Sequence, residues 1–135
     1  MSSGRIVKYL DSSVVLAEIL AEGRRPPPDL WSGGLISSRL LTIEVWTRMQ
    51  AYGVRESHAD LARDVLGSVE VLEMDPVVLE RAIEPFPNTV RALDAIHLSS
   101  VFYLRDRGED VEVATYDTRM RITAKEMGFE LYPLE

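Results

Sequence analysis

The sequence contains no cysteine and only two histidines, His58 and His97. Without thiols neither a disulfide framework nor a thiolate zinc site can be built, and two imidazoles cannot replace them. A reducing, cytoplasmic compartment is therefore the expected home. Long apolar runs are missing too. No stretch reaches the roughly 18 residues that a membrane span requires, and MSSGRIVKYL has no apolar segment of signal-peptide length, so a soluble protein is expected. Positive charge is in deficit: the net charge is −7 and the pI is near 4.9. That balance argues against a nucleic-acid binder working through a broad basic face.

What is present is a chain of 135 residues with 46% hydrophobic residues, enough for one domain, residues 1–135, with a real core. Ile6 to Leu10 is a short β-prone run. Ser12 to Glu22 carries helical spacing at Val15 and Ile19, with Gly23 as a stop. RRPPPDLWSGG follows, where three prolines forbid ordinary helix interior and two glycines punctuate a loop. GLISS predicts a second strand, Ser37 or Ser38 can cap a helix to about Tyr52, Glu56 to Leu66 predicts another helix, and VEVLEM a third strand. Pro76 suits the first turn of a helix ending before Pro85, and Asn88 or Thr89 can cap a long helix to about Arg107. DVEVATY predicts strand four, Thr118 to Met127 a helix stopped by Gly128, and FELYPL strand five. No repeat, low-complexity tract or linker interrupts the pattern.

Strands separated by helices imply right-handed crossovers. The expected class is α/β: three layers, with a mainly parallel five-stranded sheet flanked by helices. In such sheets function collects outside the carboxyl ends of the strands, where the strand order reverses. Asp11 and Asp117 follow strands one and four. Each has a plain alternative, since aspartate before a helix is a favoured N-cap, worth about 1 kcal/mol over alanine. Asp94 is harder to explain as a cap. It falls within the stripe Val90, Leu93, His97, Val101 and Leu104 of its helix, so it faces core or cleft. Glu44, flanked by Leu41 and Ile43 on a helix apolar nearly all round, also points inward or into a pocket.

Buried ionised carboxylates need partners. One solution is an ion pair of Glu44 with Arg48 and of Asp94 with Arg91. The other is convergence of all four acids around a hard cation. Oxygen ligands without Cys or His select Mg²⁺ or Mn²⁺.

The blocks YLDSS, LLTIEV, LDAIHLSS and VATYDTRM, taken in order over nearly the whole chain, resemble the signature blocks of PIN-domain nucleases, specifically the VapC toxins of VapBC toxin-antitoxin pairs. The resemblance implies a three-layer PIN-like fold and a Mg²⁺- or Mn²⁺-dependent endoribonuclease that hydrolyses RNA phosphodiesters by metal-activated water, leaving 5′-phosphate and 3′-hydroxyl ends. It makes Asp11, Glu44, Asp94 and Asp117 the catalytic acids. Asp11, Asp94 and Asp117 would hold the metal, with Glu44 ligating through water or orienting the nucleophile. Ser12 and Thr115 match auxiliary hydroxyl positions. His97 matches the histidine of the D-A-hydrophobic-H-L block and is read as a packed core residue. Expected partners are an RNA substrate, a small VapB-like antitoxin and a second copy in a homodimer, with no membrane. The proline-rich loop, residues 24–34, departs from the family pattern.

Of the 15 basic residues 13 are arginine, a side chain that holds phosphate bidentately, and Arg39, Arg91, Arg119 and Arg121 lie near the acidic blocks. They are equally explained as solvated surface. Two rival functions remain: a PIN fold used only as a binding scaffold, and a phosphoacceptor receiver domain. The receiver requires an acidic pair after strand one and a lysine after strand five, where this chain has DSS and LYPLE. Asp75, before Pro76, is more simply a helix cap.

Overall fold

The computed structural model describes residues 6–21 and 23–134. The expected alternation of strand and helix is observed. Strand β1 (Ile6–Leu10) leads into α1 (Ser12–Leu20), a 3₁₀ turn (Pro28–Trp31), β2 (Gly34–Ser38) and α2 (Arg39–Ala51). Then follow α3 (Ala59–Gly67), β3 (Glu70–Leu72), α4 (Pro76–Ala82), α5 (Ala92–Asp106), β4 (Asp110–Ala114), α6 (Thr118–Glu126) and β5 (Glu130–Leu131). All strand pairs are parallel, in the order β3-β2-β1-β4-β5. A receiver domain of the flavodoxin-like type has its strands in the order 2-1-3-4-5, so the topology excludes that rival.

The chain builds outward from β1 through β2 to β3, then returns to lay β4 on the other side of β1. The reversal therefore lies between β1 and β4, whose ends are in register at Leu10 and Ala114. One further bond, from Asp11 N to Ala114 O at 3.1 Å, carries the ladder to the aspartate.

Two apolar layers cover the sheet. On one face Val14, Val15, Leu16 and Ile19 of α1 pack with Leu41, Val45 and Met49 of α2 and with Leu10, Leu35 and Ala114 of the strands. On the other, Leu98, Val101 and Leu104 of α5 and Met120 and Ala124 of α6 cover Val7, Tyr9, Val111 and Val113. Burial on both faces is the rule for an all-parallel sheet, here with Lys8 and Glu112 interrupting the apolar runs of β1 and β4.

Three helix boundaries and the proline-rich segment differ from expectation. Helix α1 is closed before Gly23 by Ala21, a left-handed residue (φ 53°) whose N–H reaches Ala17 O. The expected end at Glu22 lies outside the described residues. The proline-rich segment is not wholly irregular, because it contains the 3₁₀ turn and is stapled from beneath. Lys8 Nζ donates to the carbonyls of Asp29 (3.1 Å), Leu30 (2.9 Å) and Ser32 (2.6 Å), using all three of its protons. Helix α3 starts at Ala59 rather than Glu56. Helix α5 starts at Ala92, and neither Asn88 nor Thr89 caps it. Phe86 and Val90 are drawn onto the α5–α6 core, and the Asn88 amide bonds Glu126 and Thr123 of α6. The segment before α5 is thus spent bridging to α6. Asp75 does precede α4, without a side-chain bond to its N-terminus. No helix of the described residues is long and apolar enough to cross a membrane.

Candidate active site

Asp11 is the best supported of the four acids. It is buried, 6% exposed, directly beyond β1. Its Oδ1 accepts from Ser12 N at 2.8 Å, and its Oδ2 accepts from Ser13 Oγ at 2.8 Å and from Thr115 Oγ1 at 2.6 Å. The two hydroxyls are held in turn by the backbone beyond β4: Tyr116 N donates to Ser13 Oγ at 2.9 Å and Asp117 N to Thr115 Oγ1 at 3.0 Å. The ends of the two strands flanking the reversal are therefore tied together around one carboxylate. Asp11 is an N-cap residue as well, so capping and membership of the site are not exclusive. Thr115 acts on Asp11 from within the core. Ser12 lines the cleft, while the hydroxyl that bonds Asp11 is that of Ser13, a residue the sequence reading passed over.

Asp117 caps α6, accepting from Met120 N at 3.0 Å. Glu44, from α2, is held by His97: Nε2 lies 2.7 Å from Glu44 Oε1, and Nδ1 lies 2.7 Å from the Tyr9 hydroxyl. His97 is as buried as expected, at 1% exposure, but it is more than packing. Burial opposes its charged form, yet Tyr9 and the carboxylates of Glu44 and Asp11 outweigh that, and its pKa stands well above the ordinary histidine value. The anticipated Glu44–Arg48 ion pair is not formed, because Glu44 is already engaged by His97.

Asp94 differs from the other three. It is half-buried at the start of α5, and among the described residues no donor bonds its carboxylate, so the alternative of a pair with Arg91 is not realised either. Desolvation, then the charges of Asp117 and Asp11, raise its pKa above the ordinary aspartate range; Arg91 and His97 only partly offset this.

All four acids line one cleft of about 370 Å³, together with Ser12, Ser13 and three arginines, Arg24, Arg48 and Arg91. Arg24 comes from the proline-rich loop and lies over the Tyr116 ring at 4.1 Å. An adjoining cavity of about 520 Å³ shares Ser13, Leu16, Arg24 and Arg48 with the cleft and extends past Tyr52 and Val54. Arg39 is instead paired with Glu73 at 2.5 Å, and Arg121 reaches Thr115 O at 3.4 Å. Sequence spacing could not place Arg24 at the cleft, because it comes in on a loop, whereas Arg48 stands one turn after Glu44 on α2, a spacing read above for an ion pair and not for the cleft.

The donor set suits a hard divalent cation: carboxylate oxygens, with one carboxylate, Asp94, that no described donor bonds. Among the described residues no three of these side chains are gathered closely enough to hold one ion by themselves. That agrees with Mg²⁺ chemistry, in which one or two carboxylates bind directly and water completes the shell.

Comparisons with known proteins identify relatives of the chain and of its fold. The PIN domain family matches residues 8–126. Ribonuclease VapC46 of Mycobacterium tuberculosis is 35% identical over 127 residues, covering 89% of this chain and 92% of the relative. Ribonuclease VapC47 from the same species is 27% identical over 128 residues, 90% and 92% of the two chains. Among solved structures, Mycobacterium tuberculosis VapC20, described as a Sarcin-Ricin loop cleaving toxin, superposes with a TM-score of 0.62 at 18% identity, covering 93% of this chain and 99% of that one. A toxin-antitoxin complex from Klebsiella pneumoniae gives a TM-score of 0.63 at 19% identity, with coverage of 83% and 88%. With the fold, the order of the acidic blocks and these relatives in agreement, the chain belongs to the PIN-domain family, among its VapC-type ribonucleases.

Proposed function

We propose that this protein is the toxin of a type II toxin-antitoxin pair, an endoribonuclease that requires Mg²⁺ or Mn²⁺ and acts through Asp11, Glu44, Asp94 and Asp117, with residues 1–135 forming one nuclease domain. The observation that carries the reading is the convergence of these acids, from the end of β1, α2, α5 and the loop after β4, on one cleft where no described donor bonds Asp94. A scaffold that only bound RNA would gain nothing from carboxylates that repel both phosphate and each other. Nucleases of this family generally depend on a divalent metal, and Asp11, Asp94 and Asp117 are the residues that would hold it here, one or two of them directly and the rest through its water shell.

When bound, such a cation makes water more acidic and neutralises charge on phosphate oxygens. The chain supplies the rest. Asp11 is fixed by three hydrogen bonds and cannot swing away as charge moves in the cleft. Glu44 keeps Oε1 on His97, which leaves Oε2 to orient the attacking water from the α2 side. Arg24, Arg48 and Arg91 can hold the phosphates on either side of the scissile bond bidentately. Water adds to phosphorus, the P–O3′ bond breaks, and O3′ departs as a hydroxyl after gaining a proton, which gives 5′-phosphate and 3′-hydroxyl ends.

An antitoxin partner is supported by the likeness to a toxin-antitoxin complex. A homodimer is supported by the apolar side chains that α4 and α5 leave exposed, Val77, Leu79, Ile83 and Phe102. Purified protein should cleave structured RNA with Mg²⁺ or Mn²⁺, stop in EDTA and recover on adding metal. Cleavage undiminished in chelator and unchanged in Asp94→Asn would defeat the reading.

A further inference from the structure

We propose that His97, braced by Tyr9, is a positioning residue for Glu44, setting which carboxylate oxygen faces the cleft. The proposal rests on the metal-dependent cleavage argued above. Its basis is an unbroken hydrogen-bonded chain through the core, Tyr9 hydroxyl to His97 Nδ1 at 2.7 Å and His97 Nε2 to Glu44 Oε1 at 2.7 Å. Tyr9 and His97 are both 1% exposed, and their rings meet edge to face with centroids 5.7 Å apart, so neither has room to rotate.

The direction of the second bond is fixed by chemistry. An ionised glutamate can only accept, so Nε2 carries a proton whatever the charge on the ring. Tyr9 serves either form, because its hydroxyl can donate to a bare Nδ1 or accept from a protonated one. The chain also joins the two layers of the molecule. Glu44 belongs to α2, packed on one face of the sheet, whereas His97 and Tyr9 belong to α5 and β1 on the other. Their contact passes around the carboxyl edge of the sheet, where the cleft lies.

Spacing on α5 gives the arrangement its sense. Asp94 and His97 stand three residues apart, on the same side of the helix. Helix α5 therefore presents one acid to the cleft itself and, one turn deeper, the imidazole that holds a second. A free glutamate side chain has three torsions to immobilise, and ordering it costs conformational entropy. Here one oxygen is anchored in advance, and Oε2 keeps a fixed relation to Asp94.

The test compares two amides that imitate different nitrogens of the ring. His97→Gln places an N–H near the position of Nε2 and can still reach Glu44. His97→Asn can still meet Tyr9, but it is too short for Glu44. Outer partners of metal-binding carboxylates and histidines typically change affinity or activity by about 10–100-fold. The asparagine variant should therefore lose at least about tenfold in kcat with little change in KM for RNA, and should bind Mn²⁺ about tenfold more weakly by calorimetry. The glutamine variant should stay within about threefold of wild type in both measurements, a rescue that a purely structural role does not predict. Thermal melting ranks the two folds independently of activity. If the two variants are equal in kcat and in Mn²⁺ affinity, whether both high or both low, the positioning role is wrong. Failure of the wild type itself to bind Mn²⁺ or cleave RNA would instead overturn the metal-dependent reading on which the proposal stands.

Discussion

Asp94→Asn should make the metal-free protein more stable and the metal-loaded protein less responsive. The substitution preserves size and removes one charge from a half-buried carboxylate that no described donor bonds and that Asp117 and Asp11 repel. Two carboxylates roughly 6 Å apart repel by about 2.8 kcal/mol at an effective dielectric of 20. Solvent on the open side of the cleft screens much of that, leaving a net gain of about 1 kcal/mol, or about 4 °C in Tm for a domain of this size. The pH dependence follows from the raised pKa. A raised carboxyl contributes stability that is full below the ordinary aspartate value near 3.9 and is lost as pH rises through the folded-state value. The advantage of the asparagine variant should therefore be absent at about pH 3.5, appear across the mildly acidic range and be complete at neutral pH.

Metal should reverse the order. Wild type at a hundred times its Kd gains about 2.7 kcal/mol by mass action, near 10 °C, and the variant should gain much less at the same concentration. Melting curves of both proteins in EDTA and in Mn²⁺, at neutral and acid pH, contain the whole comparison. A variant that melts below wild type in EDTA at neutral pH would refute the uncompensated charge. Equal metal responses would refute Asp94 as a ligand.

Asp11→Asn should behave in the opposite way without metal, losing about 1 kcal/mol in a urea melt, because Ser13 and Thr115 both donate to the oxygen that an amide nitrogen would replace. A rise in stability would show that repulsion, not hydrogen bonding, dominates at Asp11. Lys8→Met removes the staple under the proline-rich loop and should cost about 1–2 kcal/mol while exposing residues 24–34 to limited proteolysis. Unchanged cleavage patterns would mean that the 3₁₀ turn holds the loop unaided. Binding of a non-cleavable RNA analogue, followed by fluorescence anisotropy at constant ionic strength, should tighten at least about tenfold on adding Mn²⁺, a 1.4 kcal/mol effect. Affinity independent of metal would place RNA outside the acidic cleft.

The parts of the fold legible in the sequence were those written in local periodicity. Short apolar runs ended by Asp or Ser gave β1, β2 and β4 nearly to the residue, and Gly128 marked the end of α6. The start of α5 was misplaced because Asn88 has every local feature of a cap, yet its amide is drawn to Glu126 across the fold. A tertiary partner outbids a local one without leaving a trace in the neighbouring residues. The same limit applies at the cleft. Asp94 and Glu44 stood out because a charge interrupts an apolar surface. His97 could not be separated from a core histidine, because the bond that distinguishes it spans 53 residues to Glu44. Ser13 was hidden behind Ser12 for a subtler reason: at the junction of strand and helix a change of one position reverses which hydroxyl turns toward the aspartate.

The acidic composition ceases to be an objection once charge is counted where RNA would lie rather than over the whole chain. Among the described residues three guanidinium groups face four carboxylates in the cleft, and His97 stands behind one of the four. A divalent cation bound there would add two positive charges at that point and so strengthen the pull on phosphate. The remaining acidic surface is not idle. Interactions beyond about 8–10 Å are largely screened at physiological salt, so it weakens RNA binding in the cleft only slightly while repelling phosphate elsewhere. A protein of net charge −7 is then poorly suited to coat RNA indiscriminately. On the proposed function, attraction would be strongest where the acids, the arginines and the cation coincide, and it would rise when the site becomes competent to cut.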